Sequence, residues 1–244
     1  SIDPNVLGGM LIFVGSMIAP QMISSKPLLP RKVTIPLFAM IVLCLLLTYS
    51  RGSFVGLLFA LLLLGVLRHS RLLLIGLLCL IVLFILPPAQ VYVEHFIEGV
   101  QVRDLATQMR MGEFKDAFIL IGRYPWFGVG FAGTPDIDTY LGVSSVYLLI
   151  AEETGVIGLL AFVITLLTFM VRFLRLAPLS RQFPDLDPLM LGPCLAVCGG
   201  MAAGFLDHYL FNLVFPHAAA LLWLTMGLGT VAIRLVRERA ATAA

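Results

Sequence analysis

The sequence predicts an all-α protein, a polytopic transmembrane helical bundle of about seven spans with an extracytoplasmic amphipathic-helix segment. Three observations carry this reading. Hydrophobic residues make up 60% of the 244 positions and charged residues only 12%, and the mean hydropathy is +1.02; a soluble domain of this size exposes far more charge. Several apolar runs approach the roughly 20 residues that cross about 30 Å of hydrocarbon as helix. The basic residues also collect in alternate gaps between those runs, as they do when a chain threads a bilayer repeatedly.

The spans fall at about 6–23, 33–49, 53–67, 72–88, 154–173, 189–206 and 213–233. The first is interrupted by glycine and proline, and the third is short. The fourth stops at Pro87-Pro88, where a helix cannot continue. The chain thus divides into residues 1–88 with four spans, 89–153 as an extracytoplasmic segment, and 154–244 with three spans and a cytoplasmic tail. No internal repeat is visible. The opening SIDPNVLGG has neither an initiator methionine nor a basic signal region, and reads as the start of the back part of a longer protein.

Lys26, Arg31, Lys32, Arg68, Arg71, Arg172, Arg175, Arg181, Arg234, Arg237 and Arg239 share one set of loops and are eleven of the sixteen basic residues. That set is expected on the cytoplasmic side. The N-terminus of the chain is then outside and the C-terminus inside. Cys44, Cys79, Cys194 and Cys198 all lie within apolar runs and read as small apolar filler. Cys194 and Cys198 share a helix face, but a zinc site wants further ligands.

Within the outer segment, DLATQMRMGEFKDAFILIG (104–122) places apolar residues at Leu105, Met109, Phe114, Ala117, Phe118 and Ile121. That spacing predicts an amphipathic helix stopped by Gly122. YPWFGVGFAGTP follows as an aromatic, turn-rich loop suited to the membrane interface. Gly128 and Gly130 lack the strand–turn–helix setting of a dinucleotide site and read as a tight turn. SSVYLLIAEETG then reads as a short apolar helix ending in Glu152 and Glu153.

The stretch TYSRGSF (48–54) sets Arg51 in the short gap between the second and third spans, at the outer surface. A charge at or within the apolar slab is costly and points by default to function; snorkelling to lipid headgroups is the alternative. Arg110 lies on the outer amphipathic helix.

Five stretches together resemble the bacterial O-antigen ligase and polymerase superfamily of membrane glycosyltransferases. DPN (3–5) is similar to its Pro-Asn opening of a span, and TYSRGSFVGLL to its Thr-x-Ser-Arg-Gly turn. RMGEFKDAFILIGRYPWFGVGFAG is similar to its block of arginine, amphipathic helix, proline and Gly-x-Gly. SSVYLLIAEETGVIGLLAF resembles its His-Asn-x-x-Leu…Glu-x-Gly-x-x-Gly block, and FLDHYLF with LLWLTMGLG its last-span region. The resemblance runs along nearly the whole chain, though family members usually have about a dozen spans.

The resemblance implies transfer or polymerisation of glycan from an undecaprenyl-diphosphate-linked donor to a glycan or lipid acceptor, at the outer face of a bacterial inner membrane. It implies no metal, no other cofactor and no nucleic-acid partner; the surroundings are membrane lipids. Arg51 and Arg110 are the candidates for the lipid diphosphate, because a guanidinium binds phosphate oxygens in pairs and stays charged. Arg103 is a further candidate, whereas Arg123 reads as surface. Ser144 and Ser145 stand where the ligases have histidine and asparagine. Serine is no general base at neutral pH without help, so Glu153, Glu152 and His208 are the candidates to take the proton. Glu153 aligns with the glutamate of the family. Both glutamates are also open to pairing with arginine and capping the next span.

His208 groups with Asp207 and Asn212 in the turn before the last span. His69 and His95 read as surface residues, and His217 as a packed core histidine. Tyr147 and Trp126 suit either sugar stacking or interfacial anchoring. Two rivals remain open: a polysaccharide transporter or flippase, which would carry charges in mid-span, and a non-catalytic membrane protein of the same fold.

Overall fold

Seven helices make up the described part of the chain in the computed structural model, which covers residues 3–68, 70, 73, 105–131, 142–211 and 216–243. They are α1 (Pro4–Ile23), α2 (Arg31–Leu47), α3 (Arg51–Leu67), α4 (Leu105–Arg123), α5 (Val146–Ser180), α6 (Asp187–Ala203) and α7 (Pro216–Ala243). The fold class is as the sequence predicts, an all-helical membrane bundle. In length and apolarity α1, α5 and α7 suffice to cross a membrane outright. α2, α3 and α6 have 17 residues each, or about 26 Å, near the lower limit for a span. The fourth expected span, 72–88, lies outside the described residues but for Leu73, as do Arg71 and Cys79.

The bundle is organised around α6. Its sequence, DPLMLGPCLAVCGGMAA, is rich in small residues, and it is buried on almost every side. Lipid tails are as apolar as leucine, so helices in a bilayer associate by close van der Waals packing rather than by hiding from water. α3 approaches α6 backbone to backbone: a Cβ on Gly199 would lie 2.7 Å from the Gly56 carbonyl oxygen. On α1, the glycines that made its span look interrupted are contact points instead. Tyr209 lies flat against Gly9, and Ser53 of α3 fills the space beside Gly8. α1 therefore runs unbroken through Pro20. Asp3 caps it, its carboxylate accepting from the Asn5 N–H at 2.7 Å.

One end of the bundle is fastened by a buried ion pair. The Arg68 Nε donates to both Asp187 oxygens at 3.2 and 3.0 Å, and its Nη2 reaches Asp187 Oδ1 at 2.5 Å. The same Nη2 donates to the Ala177 carbonyl and to Ser180 Oγ, each at 2.8 Å. Ser180 in turn donates to Asp187 at 2.6 Å. The ends of α3 and α5 are thereby tied to the first turn of α6, where a carboxylate also meets the positive end of the helix dipole. Arg181 adds a bond to the Leu67 carbonyl, and Ser24 Oγ donates to the Pro184 carbonyl at 3.2 Å. Lys26 and Arg31 thus share this end with Arg68 and Arg181.

At the other end α2 turns into α3 through Thr48–Ser50. Thr48 Oγ1 donates to the Leu45 carbonyl at 2.7 Å. Tyr49 takes a φ of 52°, the one positive φ on a non-glycine among the described residues. Arg51 is the first residue of α3. His217 departs from its expected core position and lies exposed on the first turn of α7, where the helix emerges from the bundle. Cys194 and Cys198 are buried, as filler would be, while Cys44 faces outward from α2.

Asp187→Ala leaves the Arg68 guanidinium, whose side chain is only 6% exposed, without its carboxylate. A loss of about 3 kcal/mol of stability is expected, read as a lowered unfolding midpoint of the detergent-solubilised protein, with Asp187→Asn milder.

Candidate functional site

α4 lies across the Arg51 end of the bundle. Its buried face is not the expected stripe: Leu105, Met109 and Phe118 are exposed, and the fully buried residues are Ala117 and Leu120. Ala117 packs with Phe114 against Val143, Leu149 and Phe211. Both faces of this helix are apolar, so periodicity alone could not tell a protein-facing stripe from a lipid-facing one. The helix also continues one residue past Gly122, to Arg123.

The corrected face explains the polar contacts. Arg110, Glu113, Ala117 and Leu120 recur at spacings of three and four and so share one side of the helix. Successive turns of α4 set three ionisable groups over the bundle. The charge of Arg110 acts on Asp207. Glu113 Oε2 accepts from the Ser144 N–H at 3.0 Å and from Ser144 Oγ at 2.6 Å. The charge of Asp116 acts on Glu152.

Beneath α4, the start of α5 is knitted to the loop after α6. The Val146 N–H donates to the Gly204 and Asp207 carbonyls at 2.8 and 3.0 Å, and Tyr147 Oη donates to the Met201 carbonyl at 3.0 Å. The Tyr147 ring packs on Phe205, with centroids 4.4 Å apart. Ser145 is buried at the N-cap of α5, and its side chain makes no capping bond. Asp207 is buried and accepts from the His208 N–H at 2.8 Å. Burial raises its proton affinity, partly offset by that bond and by the charges of His208 and Arg110. The His208 ring is half-buried, its Nδ1 3.8 Å from Asp207.

Arg51 approaches the same turn from below. Gly52 packs against Leu206 and the Ala203 carbonyl, so α3 begins beside residues 203–208. The start of α3, with Arg51 as its first residue, and Arg110 of α4 thus come to the 203–208 turn from two different helices; both arginines are half-buried.

The 35-residue α5 is too long for one straight crossing and is divided at Gly155, whose φ of 72° and ψ of −175° are non-helical. Residues 146–154 form a pre-span segment carrying both glutamates; the span proper starts at Val156. The aromatic loop docks into this break. The Val129 and Gly130 N–H groups donate to the Glu152 and Glu153 carbonyls, each at 2.9 Å, and the Val156 N–H donates to Pro125 at 2.8 Å. A Cβ on Gly155 would collide with the Trp126 carbonyl, and one on Gly128 with the backbone of Glu152 and Glu153. The N–H groups at the start of the span are therefore met by backbone, not by glutamate side chains.

Both carboxylate oxygens of Glu152, a residue 1% exposed, and Oε2 of Glu153 are buried without a hydrogen-bond partner. Burial, then the charges of Glu153 and Asp116, push Glu152 from its ordinary 4.5 up to about 7. Burial alone lifts Glu153 to about 7. The expected pairing of these glutamates with arginine has no counterpart among the described residues for Glu152.

Arg103 and Asn212 lie outside the described residues, with His69 and His95. Arg123 is exposed, as is Trp126 at 66%. Among the described residues no cluster of His, Cys, Asp or Glu is arranged to hold a metal ion. Sequence reading did not single out Glu113 or Asp116. Their spacing of three and six from Arg110 was the available signal.

A family model described as O-antigen ligase matches residues 36–163, just over half of the chain. The matched stretch holds Arg51, α4, Ser144, Ser145, Tyr147 and both glutamates, and leaves out DPN and His208. Comparison with curated proteins finds no match.

Because Glu152 holds its proton more tightly in the folded state than in the unfolded chain, folding stability declines as pH rises from about 4.5 to about 7. Glu152→Gln is expected to flatten that decline and to stabilise the protein above pH 7, as checked by unfolding midpoints across pH 4–8.

Proposed function

Since the chain belongs to the O-antigen ligase family, we propose that it is a membrane glycosyltransferase that transfers or polymerises glycan from an undecaprenyl-diphosphate-linked donor, at the outer face of a bacterial inner membrane. The observation that supports this reading is that the start of α3, whose first residue is Arg51, and Arg110 of α4 come to one turn, 203–208, at one end of the bundle. The excess of basic residues at the Arg68 end supports placing that end in the cytoplasm.

The donor diphosphate lies between the two guanidiniums. Arg51 adds the start of α3, where the positive end of the helix dipole favours an anion. An acceptor hydroxyl attacks the anomeric carbon of the donor sugar. The new glycosidic C–O bond forms as the bond from that carbon to the diphosphate oxygen breaks, and the arginines stabilise the charge gathering on the leaving lipid diphosphate. Arg103 is assigned the same duty.

The hydroxyl proton goes to a carboxylate. Glu153 is the better placed of the pair, being only partly buried, with its proton affinity near neutral. The charge of Glu153 in turn helps to keep the neighbouring Glu152 protonated. Ser144, bonded to Glu113, and buried Ser145 shape the acceptor wall in place of the histidine and asparagine of the ligases. Tyr147 walls the site through its ring, its hydroxyl being committed to Met201. His208, half-buried beside Asp207, is the alternative proton acceptor.

Arg51→Ala and Arg110→Ala are each expected to lower glycan transfer at least about a hundredfold while membrane insertion stays normal. Normal glycan banding in both variants removes the enzymatic reading and leaves the transporter and non-catalytic readings. With Glu153 as base, activity rises with pH through about 7, and Glu153→Gln loses both the rise and about a hundredfold of rate; an unchanged profile in Glu153→Gln transfers the role to His208.

A further inference from the structure

Between α5 and α7, a groove of about 800 Å³ runs toward the Arg68 end. Its floor is apolar: Phe169, Met226 and Ile233 are buried there, and Gly229 lets the Phe169 ring rest against α7. The groove also holds Thr165, Thr168 and Thr230, but their hydroxyls donate to the carbonyls of Ala161, Ile164 and Met226 on their own helices at 2.8, 2.7 and 2.8 Å. They offer methyl groups rather than hydrogen bonds to an occupant.

The mouth is of the opposite character. Arg172 and Arg175 project from α5, Arg234 and Arg237 from α7, and all four line the groove. Glu238 pairs with Arg234 at 2.6 Å, which leaves the rim strongly positive. Asp185 is engaged with Arg239 outside it. An apolar slot at membrane depth, closed at its headgroup end by facing pairs of guanidiniums, matches an amphiphile with an anionic head. Basic pockets between spanning helices hold phospholipid headgroups on this principle.

We propose that the groove seats an anionic phospholipid of the surrounding bilayer, its phosphate on the four arginines and its acyl chains along Phe169 and Met226. This leaflet is the one opposite the diphosphate site, so the assignment does not rest on the proposed catalytic reading. A lipid held here bridges α5 to α7 at the end remote from Glu152 and Glu153.

Native mass spectrometry of the delipidated protein, titrated with cardiolipin and separately with phosphatidylcholine, tests the assignment. One cardiolipin per chain is expected to be retained, with phosphatidylcholine at least about tenfold weaker. Replacing Arg172, Arg175, Arg234 and Arg237 together by Gln is expected to weaken cardiolipin by about tenfold or more. Thr168→Trp, which fills the slot and keeps every arginine, is expected to weaken it likewise and decides the matter if the fourfold variant fails to insert. Replacing Lys26, Arg31 and Lys32 by Gln should leave retention unchanged. Equal retention of the two lipids, wild-type retention in Thr168→Trp, or an equal loss in the Lys26 set each overturns the assignment; the last means that charge alone, without a built site, attracts the lipid.

Discussion

Helices in a bilayer gain nothing by hiding from their surroundings, so this bundle stands on how closely its backbones approach. α6 makes that approach possible. With glycine, alanine or cysteine at nearly half of its positions, it brings α3 to backbone contact at Gly56 and Gly199 and leaves room for Phe13 beside Gly200. Dispersion falls off steeply with separation, so a gap of even an ångström forfeits much of the attraction that holds such helices together. The position of Arg51 follows from the same packing. α3 begins where it does, beside Leu206, because its later turns are seated against α6.

The two ends of the bundle use charge in opposite ways. At the Arg68 end donors and acceptors are matched: one guanidinium, one carboxylate, a serine and two carbonyls complete each other's bonding. At the Arg51 end both oxygens of Glu152 and one of Glu153 are buried with no hydrogen-bond partner among the described residues. Unmet buried polar atoms cost stability, and they are tolerated where the surrounding backbone over-determines the fold. Here the loop bonded to the carbonyls of Glu152 and Glu153 does so. The cost is concentrated at the glutamates whose proton affinity burial raises, beside the proposed site.

Much of the fold was legible in the sequence because hydrophobic length dominates it. Helices at six of the seven expected spans and the tight turn carrying Arg51 followed from apolar runs and their interruptions; the fourth expected span lies outside the described residues but for Leu73. What failed did so for definable reasons. The glycines of α1 read as breaks because sequence alone does not show the neighbour, Tyr209 or Ser53, that fills the space they leave. The buried face of α4 was misassigned because Leu105, Met109 and Phe118 are apolar for the benefit of lipid or the interface, not of protein. Arg68 counted as one more loop charge, yet it anchors three helices, and its partner Asp187 lies 119 residues away. In the candidate site, Arg110 and the glutamates could be picked out by type and position. Their connection through Glu113 and Asp116 required knowing which side of α4 faces down.

The hairpin at Thr48–Ser50 leaves no slack between α2 and α3. Its left-handed tyrosine and the bond from Thr48 to Leu45 fix how far round its axis the third helix starts. One residue added there would turn the start of α3 by about 100°, carrying Gly52 away from Leu206 and swinging Gly56 out of its contact with Gly199. Chain length in this corner is thus a geometric setting shared by the packing and the chemistry, and neither can be retuned without disturbing the other.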